Sequence, residues 1–295
     1  MEFFLTLKEI KKLIYKGDID IKKYLGQHFL IDKNTRNKLL SFAELSKKDI
    51  VVEIGPGLGS LTEGIVNKVK EYYGFEIDEK FCKFLEEKFS GYKNIHIIKR
   101  DFLQTDKDFW NSIKGKFKVI GNTPYYMSSP VVFHLLKFLN KIKLALLTVQ
   151  KEVGEKFVGK PGSKNYGPIS VLLYIYTDTK ICYSLNKNVF YPRPKVESVV
   201  VKILPLKKAR VKIDNEKKFF EFLPLIFSYR RKKLINVVKR IFKINKDELK
   251  NELIKNSISP EKRVEELMPE QIYEIYKIIE SFKTGGKDGN VDRNK

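Results

Sequence analysis

At 295 residues, with 42% hydrophobic residues, the chain is long enough for one large domain and a smaller one. Its two cysteines exclude a disulfide framework, and no Cys/His cluster has zinc-ligand spacing, so we expect no metal. The 58 Lys and Arg against 36 Asp and Glu give a net charge of +22, which favours a polyanionic partner. A lysine-rich proteome is the alternative explanation.

The amino terminus lacks a basic leader and a cleavage site, and no apolar run reaches the roughly 18 residues of a membrane span. We therefore expect a cytoplasmic protein with no membrane partner. Residues 1–22 form an N-terminal extension whose role the sequence does not indicate.

Apolar runs alternate with helical patterns from residue 30 to residue 205, which predicts an α/β fold with a largely parallel sheet and a mixed edge. The predicted strands are 50–54, 72–77, 95–99, 117–120, 144–149, 169–176 and 199–204. The predicted helices between them are 33–44, 61–69, 79–89, 131–140 and 151–158.

Beyond residue 205 the pattern predicts four helices without a strand, at 216–227, 231–241, 246–255 and 269–282. We interpret 23–205 as one domain, 206–283 as a small all-helical domain and 284–295 as a disordered tail.

Positive charge is concentrated in the predicted helical domain. Residues 202–263 carry 19 basic and 7 acidic side chains. Basic residues at helical spacing in this segment are candidates for phosphate contacts, namely Arg230, Arg231, Lys232, Lys233, Lys239 and Arg240. A solvated helix face is the alternative.

A glycine loop, Gly55-Pro56-Gly57-Leu58-Gly59, follows the first predicted strand and opens a helix. Gly55 and Gly57 permit backbone torsions and a close ligand approach that a Cβ would block. The loop is not a phosphate loop, because no Gly-Lys-Ser/Thr follows. A turn, a nucleotide site and a methyl-donor site all remain open.

Carboxylates end the next two predicted strands. Glu76 lies 21 residues after Gly55, where a doubly wound fold places a carboxylate that holds ribose hydroxyls. Asp101 can accept a hydrogen bond from an adenine amino group, with Phe102 or Ile77 against the ring. Taken alone, Asp101 is equally a helix cap or a surface charge.

The fourth strand end carries Asn122-Thr123-Pro124-Tyr125. The Asn122 side-chain oxygen and a neighbouring carbonyl can accept hydrogen bonds from an exocyclic amine, while Tyr125 stacks on the base. Pro124 fixes the backbone so that the carbonyl before it faces the ligand. An ordinary turn is the alternative, but four fitting strand ends in order describe an adenosyl ligand facing an amine acceptor.

These motifs resemble those of the rRNA adenine N6,N6-dimethyltransferases of the KsgA type. The resemblance covers residues 23 to about 280 and includes further segments at 25–30, 190–198 and Arg263-x-Glu265-x-Leu267. The family implies a class I S-adenosylmethionine-dependent methyltransferase with a Rossmann-like seven-stranded sheet, acting as a monomer on the rRNA of the assembling small ribosomal subunit. Its substrate would be two adjacent adenosines in the 3′-terminal hairpin loop of 16S-type rRNA.

The resemblance also implies residue roles. Asn122, Pro124 and Tyr125 would form the catalytic loop, with Asn122 bridging donor and target. The methyl donor would be bound by Gln27, His28, Leu30, Gly55, Gly57, Glu76, Ile77, Asp101 and Phe102. Two positions depart from the family pattern: Thr123 stands where Leu or Ile is usual, and Tyr229 where Gln is common.

Two other interpretations are weighed against this one. The related large-subunit rRNA methyltransferases that confer macrolide resistance share the core motifs, although 190–198 and 263–267 fit the small-subunit group better. A non-catalytic ribosome-assembly checkpoint or transcription factor could use the same scaffold, but the intact Glu76, Asp101 and Asn122 argue against a loss of chemistry.

Overall fold

The computed structural model describes residues 4–17, 19–21 and 26–285. Leu25 and the part of the predicted tail beyond residue 285 lie outside these ranges. The strands are β1 Phe29–Leu30, β2 Ile50–Ile54, β3 Glu71–Glu76, β4 Ile95–Lys99, β5 Phe117–Asn122, β6 Ile142–Gln150, β7 Thr177–Leu185, β8 Phe190–Tyr191 and β9 Ser198–Pro205.

Twelve α-helices accompany the strands in the described part of the chain. They are α1 Leu7–Tyr15, α2 Lys33–Ser41, α3 Thr62–Val66, α4 Glu79–Lys88, α5 Lys107–Ser112, α6 Ser128–Leu136, α7 Lys151–Phe157, α8 Pro168–Tyr176, α9 Glu216–Phe227, α10 Leu234–Phe242, α11 Lys246–Lys255 and α12 Pro269–Gly285. The last helix thus includes the first two residues of the predicted disordered tail.

Seven strands form one sheet in the order β4-β3-β2-β5-β6-β9-β7. The first five are parallel, and β9 runs antiparallel to both β6 and β7. The prediction of a Rossmann-like seven-stranded sheet with a mixed edge is confirmed. The strand order reverses between β2 and β5, and ligands of open α/β sheets bind at the carboxyl ends of strands at such a point.

The strand predicted at 169–176 is wrong, because Pro168–Tyr176 forms helix α8 and the seventh strand is Thr177–Leu185. Ile169, Val171, Leu172, Leu173 and Ile175 are all buried, and an apolar run buried on every side shows no helical period. Proline at the first helical position was the available indication of a helix. The true strand is an edge strand with exposed polar residues, so it lacked the apolar run used for prediction.

The chain divides into two compact units. The first contains the described residues up to Glu155 together with Thr177–Leu206, and it carries the seven-stranded sheet. The second contains Lys156–Tyr176 and the described residues from Lys207 onward. The sequence prediction gave two contiguous domains, 23–205 and 206–283. It did not anticipate that Lys156–Tyr176 groups with the second unit.

Helix α8 is held within the second unit by polar contacts as well as by its apolar side chains. The Tyr174 hydroxyl donates to Glu270 Oε1 at 2.9 Å, and the Tyr166 hydroxyl, just before α8, donates to the Leu267 carbonyl at 2.9 Å. A segment that buries its apolar surface against later helices groups with them, although it precedes two strands of the sheet.

Candidate functional site

The carboxyl ends of β2, β3 and β5 border a solvent-accessible cavity in the first unit. Twelve residues that the sequence predicts as catalytic or donor-binding line this one cavity: Gln27, His28, Leu30, Gly55, Gly57, Glu76, Ile77, Asp101, Phe102, Asn122, Pro124 and Tyr125.

The glycine loop leaves β2 with Gly55 at φ +63° and Gly57 at φ +56°, which only glycine adopts readily. A Cβ at Gly55 would meet no heavy atom within 4 Å, so the loop borders open space there. A Cβ at Gly57 would lie 3.1 Å from the Phe29 ring, so this glycine lets the amino-terminal segment pack against the loop. The loop is therefore open toward a ligand on one side and closely packed on the other.

Glu76 ends β3 and is 6% exposed. Its Oε2 accepts a hydrogen bond from the Gly57 N–H at 3.0 Å, and its Oε1 accepts from the N–H groups of Ile77 at 2.9 Å and Asp78 at 3.0 Å. Burial raises the pKa of Glu76, while these three backbone donors oppose the rise. A carboxylate has about four acceptor positions, so Glu76 keeps capacity for a ribose hydroxyl.

Asp101 both caps a turn and lines the cavity, so its capping role does not exclude a ligand contact. Its Oδ1 accepts from the Leu103 N–H at 2.9 Å at the start of the 3₁₀ turn Phe102–Gln104. The two predicted ring contacts differ in exposure, since Ile77 is 47% exposed and Phe102 only 2%. Ile77 thus offers the larger apolar surface to a bound adenine.

Asn122 is oriented by the segment that precedes β1. Its Nδ2 donates to the His28 carbonyl at 2.7 Å. Because a carbonyl only accepts, the opposite amide atom is the Oδ1 acceptor, and it receives no hydrogen bond from the described residues. The carboxamide is therefore held with an acceptor available for a ligand N–H.

His28 and Tyr125 connect the catalytic loop to the segment 190–198. His28 Nδ1 donates to the Pro192 carbonyl at 2.6 Å, and the Tyr125 hydroxyl is hydrogen-bonded to Ser198 Oγ at 2.8 Å. The centroids of the His28 and Tyr125 rings are 5.4 Å apart. Antiparallel pairing of β1 with β8 completes the link. Three motifs that are far apart in sequence thus form one hydrogen-bonded wall.

Thr123, the departure within the catalytic loop, is 3% exposed. Its hydroxyl donates to the Thr148 carbonyl of β6 at 3.2 Å and lies 3.4 Å from Ser128 Oγ. The hydroxyl is thus bonded inside the protein.

Sequence reasoning missed several residues that line the cavity, including Glu53, Arg100, Tyr126 and Phe190. Glu53 is 1% exposed and accepts hydrogen bonds from the Tyr72 hydroxyl at 2.8 Å and Thr62 Oγ1 at 2.9 Å. Burial raises the pKa of Glu53 to about 7. The hydrogen bonds from Tyr72 and Thr62 oppose this rise, and the negative charge of Glu76 adds to it. An acidic residue inside an apolar strand, just before the glycine loop, was the available indication.

The predicted RNA-binding residues differ in their surroundings. Helix α10 begins at Leu234, so the predicted helix start at residue 231 is wrong. Residues 228–233 contain no proline or glycine that would indicate a break between two helices. In the structure, residues 228–231 form a turn. Arg231 and Lys232 are exposed, whereas Lys233 is paired with Glu261.

The Arg230 side chain is hydrogen-bonded within its own unit. One of its guanidinium nitrogens donates to the carbonyls of Lys164 at 2.9 Å and Tyr166 at 3.0 Å. Its Nε lies 3.5 Å from Glu265, which also pairs with Arg263 at 3.8 Å. The motif around Glu265 thus anchors the turn after α9. Arg240 lies over the Tyr229 ring at 4.7 Å.

Within residues 4–17, 19–21 and 26–285, no group of three or more His, Cys, Asp or Glu side chains could hold a metal ion. Over the same ranges, no helix has the length and apolar character that crossing a membrane requires.

Comparison with known proteins agrees with this geometry. The family model of ribosomal RNA adenine dimethylase matches residues 19–281. The chain belongs to this family. It is therefore an S-adenosylmethionine-dependent methyltransferase.

Curated relatives are similar over most of their length. A ribosomal RNA small subunit methyltransferase A from Natranaerobius thermophilus is 37% identical over 289 residues, which cover 92% of this chain and 96% of the relative. Another from Halothermothrix orenii is 39% identical over 241 residues, 80% of each chain.

Solved structures show the same fold. A dimethyladenosine transferase from Plasmodium falciparum has a TM-score of 0.70 at 25% identity, covering 87% of this chain and 98% of that one. The 23S rRNA methyltransferase ErmE has a TM-score of 0.66 at 23% identity, covering 85% and 99%. The second likeness shows the fold alone.

Proposed function

We propose that the enzyme transfers methyl groups to N6 of two adjacent adenosines in the 3′-terminal hairpin loop of 16S-type small-subunit rRNA. The observation that carries the proposal is the orientation of Asn122, whose Nδ2 is bonded to the His28 carbonyl. Its Oδ1 is the acceptor that an adenine amine needs.

The adenine amine is a poor nucleophile, because its lone pair is delocalised into the ring. Hydrogen bonds from its two N–H groups to Asn122 Oδ1 and to the Thr123 or Pro124 carbonyl favour a pyramidal nitrogen with an available lone pair. S-Adenosylmethionine, when bound, supplies an activated methyl group and leaves as a neutral thioether. The new N–C bond replaces the S–C bond, and the surplus proton on nitrogen goes to water.

The described residues supply the groups that such a donor needs. Glu76 retains acceptor capacity for ribose, Asp101 and Ile77 border the place of the adenine, and Gly55 leaves space for the methionine part. Tyr125 stacks on the target base from its position at the loop. No residue must act as an acid toward the leaving group, so catalysis rests on in-line positioning.

Small-subunit rRNA is favoured because relatives that share 36–37% identity over most of the chain are named ribosomal RNA small subunit methyltransferase A. The segment 190–198 contributes Pro192 and Ser198 to the wall around Asn122 and Tyr125. A large-subunit target is the second candidate. We infer that the helical unit contributes RNA contacts and that the enzyme acts as a cytoplasmic monomer during small-subunit biogenesis.

The test is to replace Asn122 with Ala and to map methylated adenosines on both rRNAs by primer extension. We expect two adjacent arrest sites near the small-subunit 3′ end with the native enzyme and none with Asn122→Ala. Calorimetry should show that S-adenosylhomocysteine binds the variant within about tenfold of the native affinity, because one hydrogen bond is worth roughly 1 kcal/mol.

Lys47→Ala, at an exposed position outside the cavity, is the matched control and should methylate normally. Arrest sites on large-subunit rRNA alone would overturn the substrate assignment. Full methylation by Asn122→Ala would overturn the role of the carboxamide.

A further inference from the structure

The amino-terminal extension forms a defined helix, although the family match begins only at residue 19. Thr6 caps α1, since its side chain accepts from the Glu9 N–H at 3.4 Å and the Glu9 carboxylate accepts from the Thr6 N–H at 2.7 Å. This reciprocal capping box fixes where the helix begins.

One face of α1 is buried in the first unit. Ile10 and Ile19 are fully buried and belong to a hydrophobic cluster with Phe29, Leu58 and Phe81. The partly buried residues that pack against this cluster include Leu13, Ile14 and Tyr191. An isolated helix of nine residues is marginal in water, so this packing is what stabilises α1.

The partners of α1 are parts of the donor site. Phe29 and Phe81 line the cavity, and their rings meet edge to face with centroids 5.6 Å apart. Leu58 lies inside the glycine loop, and the Phe29 ring is the group packed against Gly57. The cluster that contains Ile10 therefore lies directly behind the wall that faces the donor.

A polar contact ties the same segment to the helix after Glu76. Lys80, in the first turn of α4, donates to the Gly17 carbonyl at 3.2 Å and pairs with Asp20 at 2.7 Å. The pair is exposed, so its energetic contribution is small.

We propose that α1 is a positioning element for the methyl donor. It holds Phe29 and the glycine loop in the geometry that binds the donor, although no α1 residue lines the cavity. Loss of its packing lets Phe29, Phe81 and Leu58 relax away from the donor. We expect the main effect on donor affinity, because Phe29 and Phe81 line the cavity whereas Asn122 and Tyr125 are not in this cluster.

The first experiment compares full-length Ile10→Ala and Ile10→Asp with Lys12→Ala, an exposed position on the same helix. Calorimetry with S-adenosylhomocysteine should give a Kd raised at least fivefold by Ile10→Ala and further by Ile10→Asp, in the usual range of coupling between sites. The rate at saturating donor and the rRNA Kd should stay within twofold. Lys12→Ala should match the native enzyme.

The second experiment needs no variant, so it decides the matter even if Ile10→Asp does not fold. Coupling is reciprocal: if α1 favours the donor, the donor must stabilise α1. Hydrogen exchange of the α1 amides should slow when the native enzyme is saturated with S-adenosylhomocysteine, while α11 in the other unit is unaffected. Unchanged exchange in α1, or a donor Kd within twofold for a folded Ile10→Asp, would overturn the proposal.

Discussion

Glu53 shows how much one buried carboxyl at the end of β2 can influence the site. It lies two residues before Gly55 and is held by the hydroxyls of Thr62 and Tyr72. Burial raises its pKa to about 7 from an ordinary 4.5. The folded chain therefore holds this proton more tightly than the unfolded chain. Stability from this group is present at acid pH and is lost as the pH rises through about 7.

Replacing Glu53 with Gln removes this titration, because the amide stays neutral at every pH. Urea unfolding at pH 4.5 and pH 8.5 should show the native enzyme losing up to about 3 kcal/mol relative to Glu53→Gln over that interval. Glu86→Gln, at an exposed position of α4, is the control. A constant stability difference between Glu53→Gln and the native enzyme across this range would contradict the account.

Residue types at strand ends were predictable, since carboxyl ends of parallel strands converge at one edge of a sheet. Glu76, Asp101 and Asn122 could be found for that reason, and they do line one cavity. Phe190 could not be found in the same way. It reaches the cavity only through the pairing of β8 with β1, a contact that no local pattern encodes.

At the scale of elements, a buried ion pair joins the residue that precedes β2 to the second residue of β5. Lys118 and Asp49 are 4% and 3% exposed, and Lys118 Nζ lies 2.9 Å from Asp49 Oδ2. Lys118 also donates to the carbonyls of Ala43 at 2.8 Å and Glu44 at 2.6 Å. Burial alone would raise the pKa of Asp49, but hydrogen bonds from Lys143, Lys118 and Ser46 outweigh it and hold the pKa well below its usual range.

Removing the buried partner should cost much more than removing the exposed one. We expect Lys118→Met to lower the free energy of unfolding by about 3 kcal/mol, because Asp49 then loses its buried cation and two carbonyls lose their donor. Lys143 is 55% exposed, so Lys143→Met should cost about 1 kcal/mol or less. Equal losses in urea unfolding at pH 7 would show that burial does not distinguish the two pairs.

Element types followed from sequence where a segment kept the length or the periodicity of its type. The predicted strand 50–54 and helix 246–255 coincide with β2 and α11. The prediction failed at 169–176, where burial on all sides removed the periodicity that separates helix from strand. The edge strand β7 was missed for the opposite reason, since its exposed polar residues resemble a loop.

At the scale of the whole molecule, the net charge of +22 predicts a salt-sensitive RNA complex. Not every basic residue of the helical unit can contribute equally. Arg230 and Lys233 are engaged with acidic or carbonyl groups of their own unit, whereas Arg231 and Lys232 are exposed and form no ion pair with another described residue.

The double variant Arg231→Ala/Lys232→Ala should therefore weaken rRNA binding and flatten its salt dependence. Each lost phosphate contact lowers the slope of log K against log salt by roughly 0.7–0.9, so a reduction of about 1–2 is expected. Filter binding at several salt concentrations measures the slope. Lys47→Ala/Lys48→Ala, two exposed lysines of the first unit, is the charge-matched control. An identical slope for both double variants would remove these residues from the RNA interface.

The antiparallel pairing of Phe29 with Tyr191 has a consequence for how the enzyme becomes active. The pair closes a loop of roughly 160 residues, and contacts of such sequence separation form late in folding. Glu76, Asp101 and Asn122, at or just after the ends of their strands, all lie inside this loop. During synthesis, the ribosome must therefore release more than half of the chain before Phe29 can pair with Tyr191. Methylation competence is thus among the last properties that the nascent enzyme acquires.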